Sequence, residues 1–143
     1  MFPSDRQKRL SYAVFGIYFI LLVWLVLFKF STSFSDLPNI RNINWIPFYY
    51  DQQTSTHRKE VFFNIIVFIP LGIYVQVFRH NWNIIAKCTV AVLTSLLFEV
   101  TQFIFAIGAS DITDLIGNTL GGIFGILLCM MLKKIAPKKS IAI

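Results

Sequence analysis

The chain has 143 residues, 56% hydrophobic, 16% aromatic and only 14% charged, and its mean hydropathy is +0.66. A soluble domain carries about a quarter charged residues, and a small sphere has no interior large enough for this much apolar surface, so a water-soluble domain is excluded and the bilayer is the solvent. The net charge of +6 comes without the basic, aromatic-interleaved stripe that nucleic-acid binding needs, so no nucleic-acid partner is expected.

Four apolar segments follow in chain order, over residues 10–30, 61–78, 84–107 and 112–132. A spanning helix needs about 17–25 mostly apolar residues, and in hydrocarbon the backbone must satisfy its own hydrogen bonds. The expected fold is therefore all-α: a single integral membrane domain over 1–143, built as a bundle of four transmembrane helices. The apolar run of the first segment is longer than the core of a secretory signal, and "FSTSFS" after it is a poor cleavage site, so it reads as an uncleaved anchor. Arg6, Lys8, Arg9, Arg79, Lys87, Lys133, Lys134, Lys138 and Lys139 are nine of the 13 basic residues and fall on one side of that topology. Arg41, Arg58 and Lys59 face the other side, with Lys29 at the membrane edge. The positive-inside bias puts both termini in the cytoplasm and every acid except Asp5 in the outer loops or outer helix halves.

The connection 31–60 is the long external loop. Its centre, "RNINWIPFYY", is aromatic and poor in charge, and Trp45, Phe48, Tyr49 and Tyr50 suit the headgroup region. It reads either as an aromatic anchor lying on the membrane or as a lid or re-entrant segment that contributes Arg41 and Asn44 to a site. The remainder, "DQQTSTHRKE", reads as a polar, mobile loop in which His57 is a surface residue. In helix two, Pro70 removes a backbone donor and crowds the Ile66 carbonyl, which predicts a kink. Asn64 lies about one turn below that helix's outer end, where an amide serves either as interhelical glue or as part of a site.

Helix three repeats small or polar residues at intervals of three and four: Cys88, Ala91, Ser95, Glu99, Gln102 and Ala106. Glu99 lies about 12 Å inside the end of its segment at 1.5 Å per residue. An acid there costs about 2.5 kcal/mol or more unless paired or protonated, so it must face protein or water. Helix four has a matching stripe in Asp111, Asp114, Asn118, Gly121 or Gly122, Gly125 and Cys129. Gly117, Gly121 and Gly125 form overlapping small-xxx-small steps that allow close helix approach. The short connection makes helices three and four antiparallel neighbours, so the two polar stripes are expected to meet at the outer end with the glycines closing the inner half. Asp111 also suits a helix N-cap and Asp114 the positive end of the helix dipole. Cys88 and Cys129, near the inner ends, read as packing residues facing a reducing compartment, with no disulfide.

Taken in order, "RNINWIPF", "NIIVFIPLG", "FEVTQF" and "DITDLIGNTLGG" resemble the VanZ-like membrane proteins, and the likeness covers residues 41–128. Carried over residue by residue, the family's polar positions are Asn44, Asn64, Glu99, Gln102, Asp111, Asp114 and Asn118. The resemblance implies a multi-pass protein of the bacterial cytoplasmic membrane associated with teicoplanin resistance. Many relatives place an arginine in the turn before the helix-four aspartates; here that turn reads "AIGAS", so Arg41, Arg58 or a metal ion would have to supply the positive charge.

No nucleophile constellation and no phosphate-cradling glycine loop accompany the polar positions. Several readings stay open. The first is a non-enzymatic binder of a wall precursor, lipid or glycopeptide at the outer face. The second is a metal-assisted enzyme in which three carboxylates and the amides hold a divalent cation, which in turn holds the phosphate of an envelope lipid. The others are a purely structural cluster and a lipid-flipping or transport role, the last needing a homo-oligomer because four helices are few.

Overall fold

The computed structural model describes residues 5–28, 37, 39, 41–49 and 54–135, the side chains of residues 8 and 54–57 excepted. The expectations for Lys29, Tyr50, Lys138 and Lys139, for the side chain of His57 and for most of 31–53 lie outside the described residues. Four helices dominate: α1 (Asp5–Leu27), α2 (Thr54–Phe78), α3 (Ile84–Phe105) and α4 (Ile112–Ile135). All four are long and apolar enough to cross a membrane. Their 22 to 25 residues give about 33–38 Å at 1.5 Å per residue, enough for a hydrocarbon core of about 30 Å. The all-α, four-helix membrane fold is the one that hydropathy predicts.

The helix ends differ from expectation in ways that local chemistry explains. Residues 54–60, expected as loop, are the first turns of α2. Propagating an existing helix costs far less than nucleating one, and polar residues such as Arg58, Lys59 and Glu60 are good helix formers. The first helix begins at Asp5 and ends at Leu27 rather than covering 10–30. At the start of α3, Asn83 caps the helix by accepting from the Ala86 N–H at 2.7 Å. That helix stops two residues early because Ala106 turns left-handed (φ 54°), with its N–H directed at the Gln102 and Phe103 carbonyls. The fourth helix runs on to Ile135 through Lys133 and Lys134, cations that the negative end of a helix dipole favours. Pro70 lies inside α2, which continues through it; one turn away, the Tyr18 hydroxyl of α1 donates to the Val67 carbonyl at 2.7 Å.

Solvation is inverted relative to a water-soluble protein. Ile17, Ile20, Leu93, Leu97, Phe105 and Phe124 are exposed, whereas Gln76, Lys87, Ser95, Glu99, Gln102, Thr113, Asp114 and Asn118 are buried. Apolar helix faces look outward to lipid, and polar groups that hydrocarbon cannot satisfy turn inward. An apolar core of Leu22, Val26, Leu27, Phe68, Leu71, Val75 and Phe98 joins α1, α2 and α3, with Phe68 and Phe98 packed edge-on.

The fourth helix packs most extensively on α2 and next on α3, which corrects the expected role of the glycines. A methyl on Gly121 or Gly125 would fall on the Ile65 or Ile69 carbonyl of α2, and one on Gly72 of α2 would fall on the Gly122 carbonyl. The glycine stripe thus joins α4 to α2 rather than to α3. Among the α4 glycines, only Gly122 has a residue of α3, Ala91, as its first neighbour. Lys87, one of the basic residues expected on the cytoplasmic side, is 5% exposed, and its Nζ reaches back to the His80 carbonyl at 3.1 Å.

At the end of the bundle where α2 begins and α3 gives way to α4 (the loop end), two short strands pair in parallel. These are β1 (Ile43–Asn44) and β2 (Ser110–Asp111), in register Ile43 with Ser110 and Asn44 with Asp111. The Ser110 N–H donates to the Asn42 carbonyl at 2.9 Å. This bridge draws the aromatic stretch of the long connection onto the entrance of α4.

Candidate functional site

The bridge assembles a polar cluster at the loop end. Asn44 closes its own turn, its Oδ1 accepting from the Ile46 N–H at 3.1 Å, and donates from Nδ2 to Asp111 Oδ2 at 3.2 Å. Asp111 precedes α4, and its Oδ1 accepts from the Thr113 N–H at 2.7 Å, the N-cap bond that satisfies an otherwise orphaned donor. Glu99 reaches this point from α3. Its Oε2 accepts from the Asp111 N–H at 2.8 Å and from the Ser110 hydroxyl at 3.0 Å. Thr113 Oγ1 accepts from the Phe48 N–H at 3.0 Å, and Phe48 holds a left-handed φ of 58°. One acid from mid-helix and one from a helix cap therefore stand at a shared backbone junction.

A second group lies on the other side of α4. Asn64 of α2 donates from Nδ2 to Asp114 Oδ1 at 2.7 Å, and both residues fall within spanning helices. Asn118, one turn further into α4, is 0% exposed. Neither its Oδ1 nor its Nδ2 has a hydrogen-bond partner among the described residues. Gln102 turns away from both groups, its Nε2 donating to the Val26 carbonyl of α1 at 2.9 Å. The expected polar positions thus divide in the structure. Asn44, Glu99 and Asp111 meet at the bridge, Asn64 and Asp114 meet between α2 and α4, and Gln102 serves the α1 contact.

Between the bridge, α3 and α4 lies a cavity of about 180 Å³. Asn44, Glu99, Ser110 and Asp111 supply its polar lining, and Trp45, Leu96, Val100, Phe103, Ile112 and Leu115 its apolar walls. The second polar group does not line it. Ser110 and Thr113 are members of the cluster that the sequence reading missed. Each flanks a recognised aspartate, and their hydroxyls gave the only signal.

The missing turn arginine has a partial counterpart. Arg41 sends Nη2 to the Ile104 carbonyl at 3.3 Å, at the C-terminal end of α3 where a cation suits the helix dipole. Arg58 is exposed in the early turns of α2. A divalent cation would need the three carboxylates in one group, and among the described residues no three His, Cys, Asp or Glu side chains come together in that way. The physical reason is that Asp114 faces Asn64 across α2 while Glu99 and Asp111 are engaged with the bridge.

Four spanning helices with an inward-facing polar cluster at one end define a polytopic membrane protein. The chain belongs to the VanZ/LLP1 family, whose model matches residues 15–133. It is similar to Protein VanZ of Enterococcus faecium, with 38% identity over 137 residues, covering 94% of this chain and 82% of that protein. No solved structure matches.

Proposed function

We propose that this chain is a binding protein of the bacterial cytoplasmic membrane that engages a cell-envelope component at the loop end. In this reading the termini are cytoplasmic and the loop end faces outward, where wall precursors and glycopeptides are found, and the protein contributes to resistance to teicoplanin. The observation that carries the reading is the cavity beside the bridge. It is a partly enclosed space whose polar lining comes from β1, α3 and β2 together, which helix packing alone does not require. Kinship with Protein VanZ supports the resistance context.

Passage of a substrate between α2 and α4 has less support, because their backbones touch at Gly72, Gly121 and Gly125. The purely structural reading rests on the internal bonds of Glu99 and Asp114. Glu99→Gln and Asp114→Asn separate the two, because each keeps shape and hydrogen-bonding capacity while removing charge. Teicoplanin susceptibility and membrane abundance are measured in cells expressing each variant, with Thr101→Ala as control. Thr101 is half-buried on α3, and among the described residues its hydroxyl donates to the Leu97 carbonyl of its own helix. Normal abundance with lost resistance for Glu99→Gln is the expected result. Full resistance at full abundance for both variants refutes the binding role.

A further inference from the structure

The end of the bundle opposite the loop end is basic. Among the described residues, Arg6, Arg9, Arg79, Lys87, Lys133 and Lys134 gather where α1 begins, where α2 and α4 end, and where the turn 79–83 leads into α3. Asp5 is the one described acid there; Glu60, Glu99, Asp111 and Asp114 all lie toward the loop end. At this basic end a slot of about 270 Å³ opens between α1, α2, the turn and α3. We infer that it binds an anionic phospholipid, with the phosphate on Arg79 and part of one acyl chain in the slot. This inference does not rest on the binding role at the loop end.

Arg79 sets the polar mouth of the slot. Its guanidinium lies over the Trp82 ring, 5.2 Å from the centroid. Such a contact uses the flat face of the cation and leaves the N–H donors along its edge. Among the described residues no carboxylate pairs with it. A guanidinium edge matches phosphate oxygens two at a time. Tyr12 and Tyr74 add hydroxyls to the lining and Trp82 an indole N–H, and Tyr and Trp are the side chains that suit the headgroup level. The Lys87 ammonium is not part of the lining; it is directed at the His80 carbonyl.

Beyond the mouth the slot is apolar. Phe15 of α1, Leu71 and Val75 of α2 and Val90 of α3 line it. The step along α2 from Arg79 to Leu71 is about 12 Å at 1.5 Å per residue. Stacked rings stiffen the α1–α2 wall, Phe15 on Tyr74 at 3.7 Å and Tyr74 on Phe78 at 4.2 Å. A cationic mouth over an apolar shaft complements an anionic headgroup and the chain attached to it. Volume decides against a helix of a second copy. Such a helix is about 10–12 Å across, whereas about 270 Å³ equals roughly nine waters at ~30 Å³ each. Charge decides the class of lipid. Basic pockets between spanning helices suit anionic headgroups, and no acid lines the slot to receive an ammonium headgroup.

The experiment uses the full chain with Trp24→Phe and Trp45→Phe, which leaves Trp82 as the single indole of three, reconstituted in phosphatidylcholine vesicles. Quenching of Trp82 is measured as part of the lipid is replaced by chain-brominated phosphatidylglycerol, or by phosphatidylcholine brominated in the same chain. Phosphatidylglycerol is expected to associate at least about 5-fold more strongly, as one basic contact at a membrane surface implies. Arg79→Ala should bring that ratio to about 1, since it removes the contact. Lys133→Ala together with Lys134→Ala removes more charge from the same end but none from the slot, and should leave the ratio within about 2-fold of the parent. Arg79→Ala also loses the Trp82 contact, so Val90→Phe, which fills the slot and keeps every charge, should lower the ratio as well. Equal quenching by the two lipids in the parent overturns the inference, as does an unchanged ratio in either Arg79→Ala or Val90→Phe. A loss in the lysine pair equal to that in Arg79→Ala overturns it in favour of general surface attraction. Absence of quenching by either lipid, as when a second copy covers the slot, overturns it too. None of these results bears on the susceptibility test at the loop end.

Discussion

Alanine at Gly121 tests the packing directly. The added carbon would lie 2.9 Å from the Ile65 carbonyl carbon and 3.0 Å from its Cα, with the carbonyl oxygen nearer still. Non-bonded carbons settle at about 3.5–4.0 Å, so α2 and α4 must separate locally by roughly 0.6 Å or more. These obstacles are backbone atoms, and no rotamer change relieves them. Overpacking of this kind costs about 1–3 kcal/mol, against a helix-propensity gain of about 1 kcal/mol for Gly→Ala. Gly16 of α1 provides the control, because a methyl there meets nothing within 4 Å. Both variants carry the same propensity gain, so their difference isolates the clash. Gly121→Ala should be less stable than Gly16→Ala by about 1–3 kcal/mol, read from the midpoint of unfolding by sodium dodecyl sulfate in mixed micelles. Gly117→Ala should behave like Gly16→Ala, since its nearest neighbours would be at 3.5 Å. Equal stability of Gly121→Ala and Gly16→Ala refutes the close α2–α4 contact.

Asn118→Leu should fold at least as stably as the parent, because burying an amide with no hydrogen-bond partner among the described residues costs about 1–3 kcal/mol; a lowered thermal midpoint would show that the amide is satisfied. Asn64→Ala removes the 2.7 Å bond to Asp114 and should cost about 1.5–3 kcal/mol, measured in the same detergent titration. A reporter fused after Ile143 should be active only when it is of the cytoplasmic type, and a cysteine placed at exposed Ile46 should react with a membrane-impermeant maleimide added outside; the opposite pair of results reverses the orientation. Replacing Cys88 and Cys129 together by alanine should leave membrane abundance and teicoplanin susceptibility unchanged, as expected for free thiols of which one is half-buried and one buried.

Hydropathy and spacing alone determined the four helices and which face of α3 and α4 turns inward. Ala91, Ser95, Glu99 and Gln102 on α3, and Asp114, Asn118, Gly121, Gly125 and Cys129 on α4, are all buried. Both results follow from local physics, because lipid selects apolar runs and the 3.6-residue period places polar residues on one stripe. Periodicity names a buried face but not its neighbour. Short connection length favoured α3 as the partner of the glycines, whereas the close backbone approach is to α2. Likewise Asn64 with Asp114, Gln102 with Val26 and Asn44 with Asp111 join residues 50, 76 and 67 positions apart. Nothing local encodes such pairs; they exist because the helices pack in one arrangement, and that packing brings β1 to the entrance of α4 and forms the cavity beside Glu99.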